Sequence, residues 1–141
     1  MIECRTMASA ERLDAFVLMR RFRTDQAALG DALALFIDRP DYGFVWLAYD
    51  DGIPAACVSV AFAISTETGG VVADVRDLFV ADDRRRRGIG SALLATLHGR
   101  LDHLDVTAIE AWIPSDAALR GFFGARGYED KDGMRVSLRR R

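Results

Sequence analysis

The 141-residue chain is poor in several things at once. It has two cysteines, Cys4 and Cys57, too few for a disulfide framework; a reducing, cytoplasmic compartment is the simplest expectation. Its two histidines, His98 and His103, stand five apart on one helical segment. They point to different faces and make a poor metal pair, so no metal is expected. Lys131 is the single lysine among nineteen basic residues, and no Gly-Lys-Ser/Thr triplet is present for a nucleoside-triphosphate P-loop. No apolar run approaches the roughly 20 residues that span a bilayer. Glu3, Arg5, Glu11 and Arg12 crowd the N-terminus. Neither a membrane span nor a signal peptide is therefore expected. Net charge is −2, which argues against a general polyanion binder, and no nucleic-acid partner is expected.

What is there has the profile of one globular domain, 1–141. Half of the residues are hydrophobic and 28% are charged, with no repeat, linker or low-complexity stretch to mark a boundary. The charge is unevenly spread. Thr24 to Leu78 carries nine acidic residues against two basic ones, and Phe79 onward carries twelve basic against nine acidic. An acidic front could meet a cationic ligand and a basic back an anionic one; a solvated, mixed surface is the plainer alternative.

Periodicity gives an element order. Ile2 to Arg5 reads as a short strand, and a helix capped near Ser9 follows. Asp25 to Ile37 reads as a second helix, ended by Arg39-Pro40. "FVWLAYDDGIPAACVSVAFAI" reads as two strands joined at Asp51-Gly52, a hairpin turn signal. Val71 to Val80 completes a meander. Gly88 to Leu104 has leucines at helical spacing, Val106 to Ile113 reads as a buried strand, and Asp116 caps a helix with the stripe Leu119, Phe122, Phe123. Asp132-Gly133 should turn into a closing strand through Met134, Val136 and Leu138. The strand–helix–strand unit over 71–113 should make its two strands parallel, giving a mixed α/β sheet.

The stretch "DDRRRRGIGSALL", Asp82 to Leu94, stands where a strand end meets a helix start. Free N–H groups and the helix dipole favour an anion there, and the absence of Cβ atoms at Gly88 and Gly90 lets a phosphate approach. A dinucleotide fingerprint would need a third glycine after the first strand. "LFVADDRRRRGIGSALL" instead resembles the acetyl-coenzyme A motif of the GCN5-related N-acetyltransferases (GNAT), Arg/Gln-x-x-Gly-x-Gly/Ala after a strand ending in Val. Arg85, Gly88, Gly90 and Val80 occupy its positions, and "SDAALRGFFGARGYE" resembles the family's later helix.

That resemblance implies a fold, a cosubstrate and a reaction. The fold is a mixed, mostly antiparallel central sheet whose central parallel strands splay apart, with helices on both faces. Backbone groups of Leu78, Phe79 and Val80 would pair with the pantetheine arm of acetyl-coenzyme A. Arg85 and the backbone of Arg86, Arg87, Gly88, Ile89, Gly90 and Ser91 would hold the pyrophosphate. The reaction would be direct attack of a primary amine on the thioester in a ternary complex. The acceptor would be a small amine or a peptide N-terminal or side-chain amine, and a cationic one by the acidic front. Asp77 is the candidate base; Arg76 replaces the acid that often precedes it. The alternative is that Asp77 marks a strand irregularity and binds backbone or Arg76. Asp116 could bond to pantetheine, although capping alone explains it. Phe123 stands where many members place a proton-donating tyrosine, with Ser115 and Tyr128 as substitutes. This vacancy motivates the alternative of a catalytically impaired acyl-coenzyme A-binding or regulatory module. A homodimer is compatible with either.

Overall fold

The computed structural model describes residues 1–85, 87–114, 116–131 and 133–140. Five strands form one sheet in the order β1 (Ile2–Thr6), β2 (Gly43–Asp50), β3 (Ile53–Ser65), β4 (Gly70–Val80), β5 (Ala108–Ala111). The first four are antiparallel, and β5 runs parallel to β4. Helices α1 (Arg12–Met19) and α2 (Gln26–Asp38) precede the meander, α3 (Ile89–Asp102) forms the crossover, and α4 (Ala117–Gly124) follows β5.

Local chemistry explains most of these boundaries. The β2–β3 hairpin closes at Asp51-Gly52, both at positive φ (49° and 84°), as a two-residue turn with the native strand twist requires. Asp25 caps α2 by accepting the Ala28 N–H at 3.0 Å. Ser9 does not act as a cap. Residues Ser9–Glu11 form a 3-10 turn, and it is the Glu11 carboxylate that accepts the Ala8 N–H at 2.9 Å.

The sheet carries a core on each face. On one, Ile89, Leu93, Leu94, Leu97 and Leu101 of α3 pack with Phe123 of α4 onto Val58, Val60, Ala73 and Val75. Burying each such leucine contributes roughly 2 kcal/mol. The Trp46 indole N–H donates to Thr96 at 3.0 Å and ties α3 to β2. On the other face, α1 and α2 cover Val45, Leu47, Tyr49 and Cys57, and the Tyr49 hydroxyl donates to Asp14 of α1 at 2.8 Å. Burial and this carboxylate both push the Tyr49 phenol above its ordinary range.

Two expectations need correction. The strand expected over Val106 to Ile113 is only four residues long, and all four are half-buried, because β5 pairs with β4 alone. The expected closing strand is not there. Residues 133–140 form no strand, and Met134, Val136 and Leu138 are exposed. Alternation makes a segment suited to a sheet, but a strand exists only where a partner edge takes its hydrogen bonds.

Candidate functional site

The parallel strands separate part-way along their length. Their pairing runs from Val72/Ala108 to Val75/Ala111, and the Trp112 N–H closes it onto the Val75 carbonyl at 2.9 Å. Beyond that point β4 continues through Val80 without β5. Among the described residues no strand pairs with the edge of β4 that faces away from β3 from Arg76 onward, so that edge is open.

A cavity of about 500 Å³ fills the gap. Leu78, Phe79 and Val80 line one side, and Asp116, Leu119 and Phe122 the other. It shares Val80, Arg85, Gly90 and Phe122 with a second cavity of about 270 Å³, which runs to the start of α3 along Gly88, Ile89, Gly90 and Ser91. The result is one slot, from the open strand edge to a helix N-terminus.

The two glycines serve different physical ends. Gly88 is the N-cap of α3 in the left-handed region, φ 75° and ψ 13°, with no side-chain cap. A Cβ there would meet nothing within 4 Å, so conformation, not space, demands glycine. The first-turn N–H groups of α3 are left without a capping side chain, and they border the slot. At Gly90 a Cβ would make ordinary contact, 3.4 Å from Val80 Cγ2. Space past that first carbon belongs to the slot.

The arginine run divides. Arg84 is turned onto Asp50 at 2.8 Å, both side chains largely buried, and Arg87 approaches the same carboxylate at 3.7 Å. Arg85 reaches the Val80 carbonyl at 3.2 Å and Asp82 at 3.0 Å, and its side chain borders both cavities. Arg86 and Ser115 lie outside the described residues. A basic residue not anticipated from sequence, Arg126, stacks 3.7 Å from the Phe122 ring centroid and donates to the Ser91 hydroxyl.

Asp77 sits where β4 is irregular. Between the pairs Cys57/Phe79 and Ser59/Arg76 the register shifts, with one more residue on β4 than on β3. Asp77 takes φ 58° there, uncommon for a residue with a Cβ. Its carboxylate accepts from Ser59 Oγ at 2.7 Å and pairs with Arg23. Arg76, considered as its partner, turns to Asp74 at 2.7 Å. The Cys57 thiol points to the Asp77 carbonyl at 3.7 Å. Burial, and secondarily the Asp77 charge, push that thiol above its ordinary range, so it is held as a neutral thiol and not as a nucleophile.

Phe123 does not line the slot. Its side chain is buried at 3% exposure, edge-on to Phe122 and Tyr128. Successive helix positions point about 100° apart, so the aromatic facing the slot is Phe122. Tyr128 is no readier donor. Its hydroxyl is 2.6 Å from His98 Nε2, and burial raises its phenol to about 12. Asp116 borders the slot and also caps α4, accepting Ala118 and Leu119 N–H groups at 2.9 and 3.1 Å. The acidic front is largely neutralised: Asp41, Asp50, Asp51, Glu67, Asp74 and Asp77 each pair with a cation. As a block it is therefore a weak argument for a cationic ligand.

A family model described as an acetyltransferase (GNAT) domain matches residues 41–130. The chain belongs to the GNAT acetyltransferases. Solved structures repeat its fold end to end. The aminoglycoside N-acetyltransferase AAC(6')-Iy in complex with coenzyme A has TM-score 0.85 at 14% identity, over 99% of this chain and 95% of that one. A ribosomal-protein-alanine N-acetyltransferase from Brucella melitensis biovar Abortus 2308 has TM-score 0.80 at 17% identity, over 98% of each chain. An integron cassette protein from the mobile metagenome of Cole Harbour Salt Marsh has TM-score 0.85 at 23% identity, over 98% and 90%. No curated protein matches the chain in sequence. This GNAT chain has the mixed, mostly antiparallel sheet with splayed parallel strands and helices on both faces. Among its described residues no helix is long and apolar enough to cross a membrane.

Proposed function

We propose that this protein transfers the acetyl group of acetyl-coenzyme A to a primary amine, by direct attack within a ternary complex. The observation that carries the reading is the continuous slot from the open edge of β4 to the uncapped start of α3. An arm with amide groups would extend the sheet along Leu78 to Val80. A pyrophosphate would meet the free N–H groups at Gly88 to Ser91 and the Arg85 guanidinium. The neighbouring enzymes bound to coenzyme A support this ligand. The cosubstrate supplies a thioester, and the chain must supply position and a proton acceptor.

An alkylamine near pKa 10 is about one part in a thousand free base at neutral pH. Asp77, one residue upstream of the slot wall, would take the ammonium proton. The nitrogen lone pair then bonds to the carbonyl carbon as the carbon–sulfur bond breaks, and the proton that the new amide nitrogen sheds goes to the departing thiolate, directly or through water. A thiolate of pKa about 8.5 can leave without a dedicated acid, which accommodates a buried Phe123. The two free cysteines suit a cytoplasmic setting.

Asp77→Asn should lower kcat/KM about a hundredfold over a panel of amines and leave coenzyme A affinity unchanged. Unaltered turnover would remove Asp77 from the reaction. The second reading is a coenzyme A-binding module without turnover, favoured by the Arg23 pairing that occupies Asp77. It gains if coenzyme A stabilises the protein while no amine releases thiol.

A further inference from the structure

The Asp77 carboxylate is occupied on both oxygens. Oδ2 accepts from the Ser59 hydroxyl, and Oδ1 pairs with a guanidinium nitrogen of Arg23. Arg23 comes from the segment between α1 and α2, 54 residues away in sequence. Its side chain is 56% exposed and that of Asp77 only 19%. The carboxylate is thus sheltered in the sheet, and its cation reaches in from solvent. Arg23 is connected to a residue of the slot wall through two rings. Its guanidinium is 5.4 Å from the ring centroid of Phe22, and that ring is 5.2 Å from the ring of Phe79 on the slot wall.

Neither neighbour explains the pair as a structural need. Arg76 belongs to Asp74, with contacts of 2.9 and 2.7 Å, and Cys57 is a neutral thiol. With one half-exposed arm the pair is held less firmly than a buried one, because water competes for the exposed partner. Such a cation is held by charge and direction, and another cation of similar reach can take its place at small cost.

We propose that Arg23 is a resident cation that an acceptor must displace from Asp77 Oδ1, which makes it a specificity-determining residue. This rests on the reading of Asp77 as the acceptor-side carboxylate. A protonated alkylamine can exchange with the guanidinium, since it brings the same charge and N–H donors. An amine that is uncharged, or flanked by its own carboxylate, cannot replace what it removes and is disfavoured. The exchange puts the ammonium nitrogen on the oxygen that receives its proton, and Ser59 keeps the carboxylate oriented meanwhile.

The test uses full-length protein saturated with coenzyme A, with 1,4-diaminobutane as probe, followed by amide NMR shifts at Ser59 and Asp77. Arg23→Gln should bind the probe several-fold more tightly than the unsubstituted protein, and Arg23→Lys should fall near the latter. In turnover with acetyl-coenzyme A, Arg23→Gln should lower the KM for diaminobutane several-fold relative to the unsubstituted protein. If Arg23→Gln binds the probe equally, more weakly or not at all, the proposal is overturned. A KM for diaminobutane above that of the unsubstituted protein would mean that Arg23 assists acceptor binding instead of competing with it, and also overturns the proposal. Asp77→Asn separates the two levels. If it turns over normally, the base assignment fails; if it is impaired while Arg23→Gln binds no tighter, only the exchange proposal fails.

Discussion

Gly88 and Gly90 stand two apart, but substitution should affect different properties of the protein. At Gly88 the backbone is left-handed at φ 75° with open space around the missing Cβ. Alanine there pays a left-handed penalty of roughly 1–2 kcal/mol, offset by up to about 1 kcal/mol from a less flexible unfolded chain. The expected net loss is about 1 kcal/mol, or about 4 °C in Tm for a domain of this size. At Gly90 a Cβ fits at ordinary contact distance from Val80 and Phe122, and alanine is the better helix former. Gly90→Ala should therefore match the unsubstituted protein in Tm and in coenzyme A affinity. Gly90→Leu carries its side chain past that contact into the junction of the two cavities. It should fold normally yet lose at least tenfold in coenzyme A affinity, about 1.4 kcal/mol. Thermal unfolding and calorimetric titration with coenzyme A read both properties. Coenzyme A binding by Gly90→Leu at the unsubstituted level would refute the slot assignment. An undiminished Tm for Gly88→Ala would refute the conformational argument.

Other expectations follow from the same geometry. Phe123→Ala should destabilise the protein by about 3–5 kcal/mol, because its ring is buried in the α3/α4 core, as denaturant unfolding would record. Phe122→Ala should cost less stability and weaken coenzyme A binding, since it removes slot wall and the platform under Arg126. Burial lowers the His98 pKa below its ordinary value, with Arg126 adding to this and Asp102 opposing it. The folded state then binds fewer protons than the unfolded chain, so this contribution is present above about pH 6.5 and is lost as pH falls below it. Tm measured from pH 7.5 to 5.5 should drop further for the unsubstituted protein than for His98→Gln; parallel profiles would contradict this.

The legible parts of this chain are those whose signals are local. The Asp51-Gly52 hairpin needs two residues able to take positive φ, and both are written side by side. Helix α3 repeats apolar residues at the spacing of its own turn, and Ile89, Leu93, Leu97 and Leu101 are all buried as that spacing demands. Leu104 extends the pattern but lies past the helix end and is exposed. The motif around Gly88 was readable because its geometry is built within about ten residues. The closing strand was misread because a strand requires an edge from another part of the chain, and alternation at Met134, Val136 and Leu138 does not report whether one is taken.

By itself the sequence determined the family, the order of the elements as far as α4 and the stretch that starts α3, since these depend on period, turn chemistry and short-range backbone conformation. Only the tertiary structure decided which side chains face the slot. Phe122 and not Phe123 lines it because α4 packs with one particular face on the core. Arg23, Ser59 and Asp77 meet because a loop, a strand and a bulge are brought together across 54 residues. The structure also turned Arg84 inward to Asp50. Charge counts along a chain carry no sign of such pairing, because electrostatic partners are chosen by distance in space.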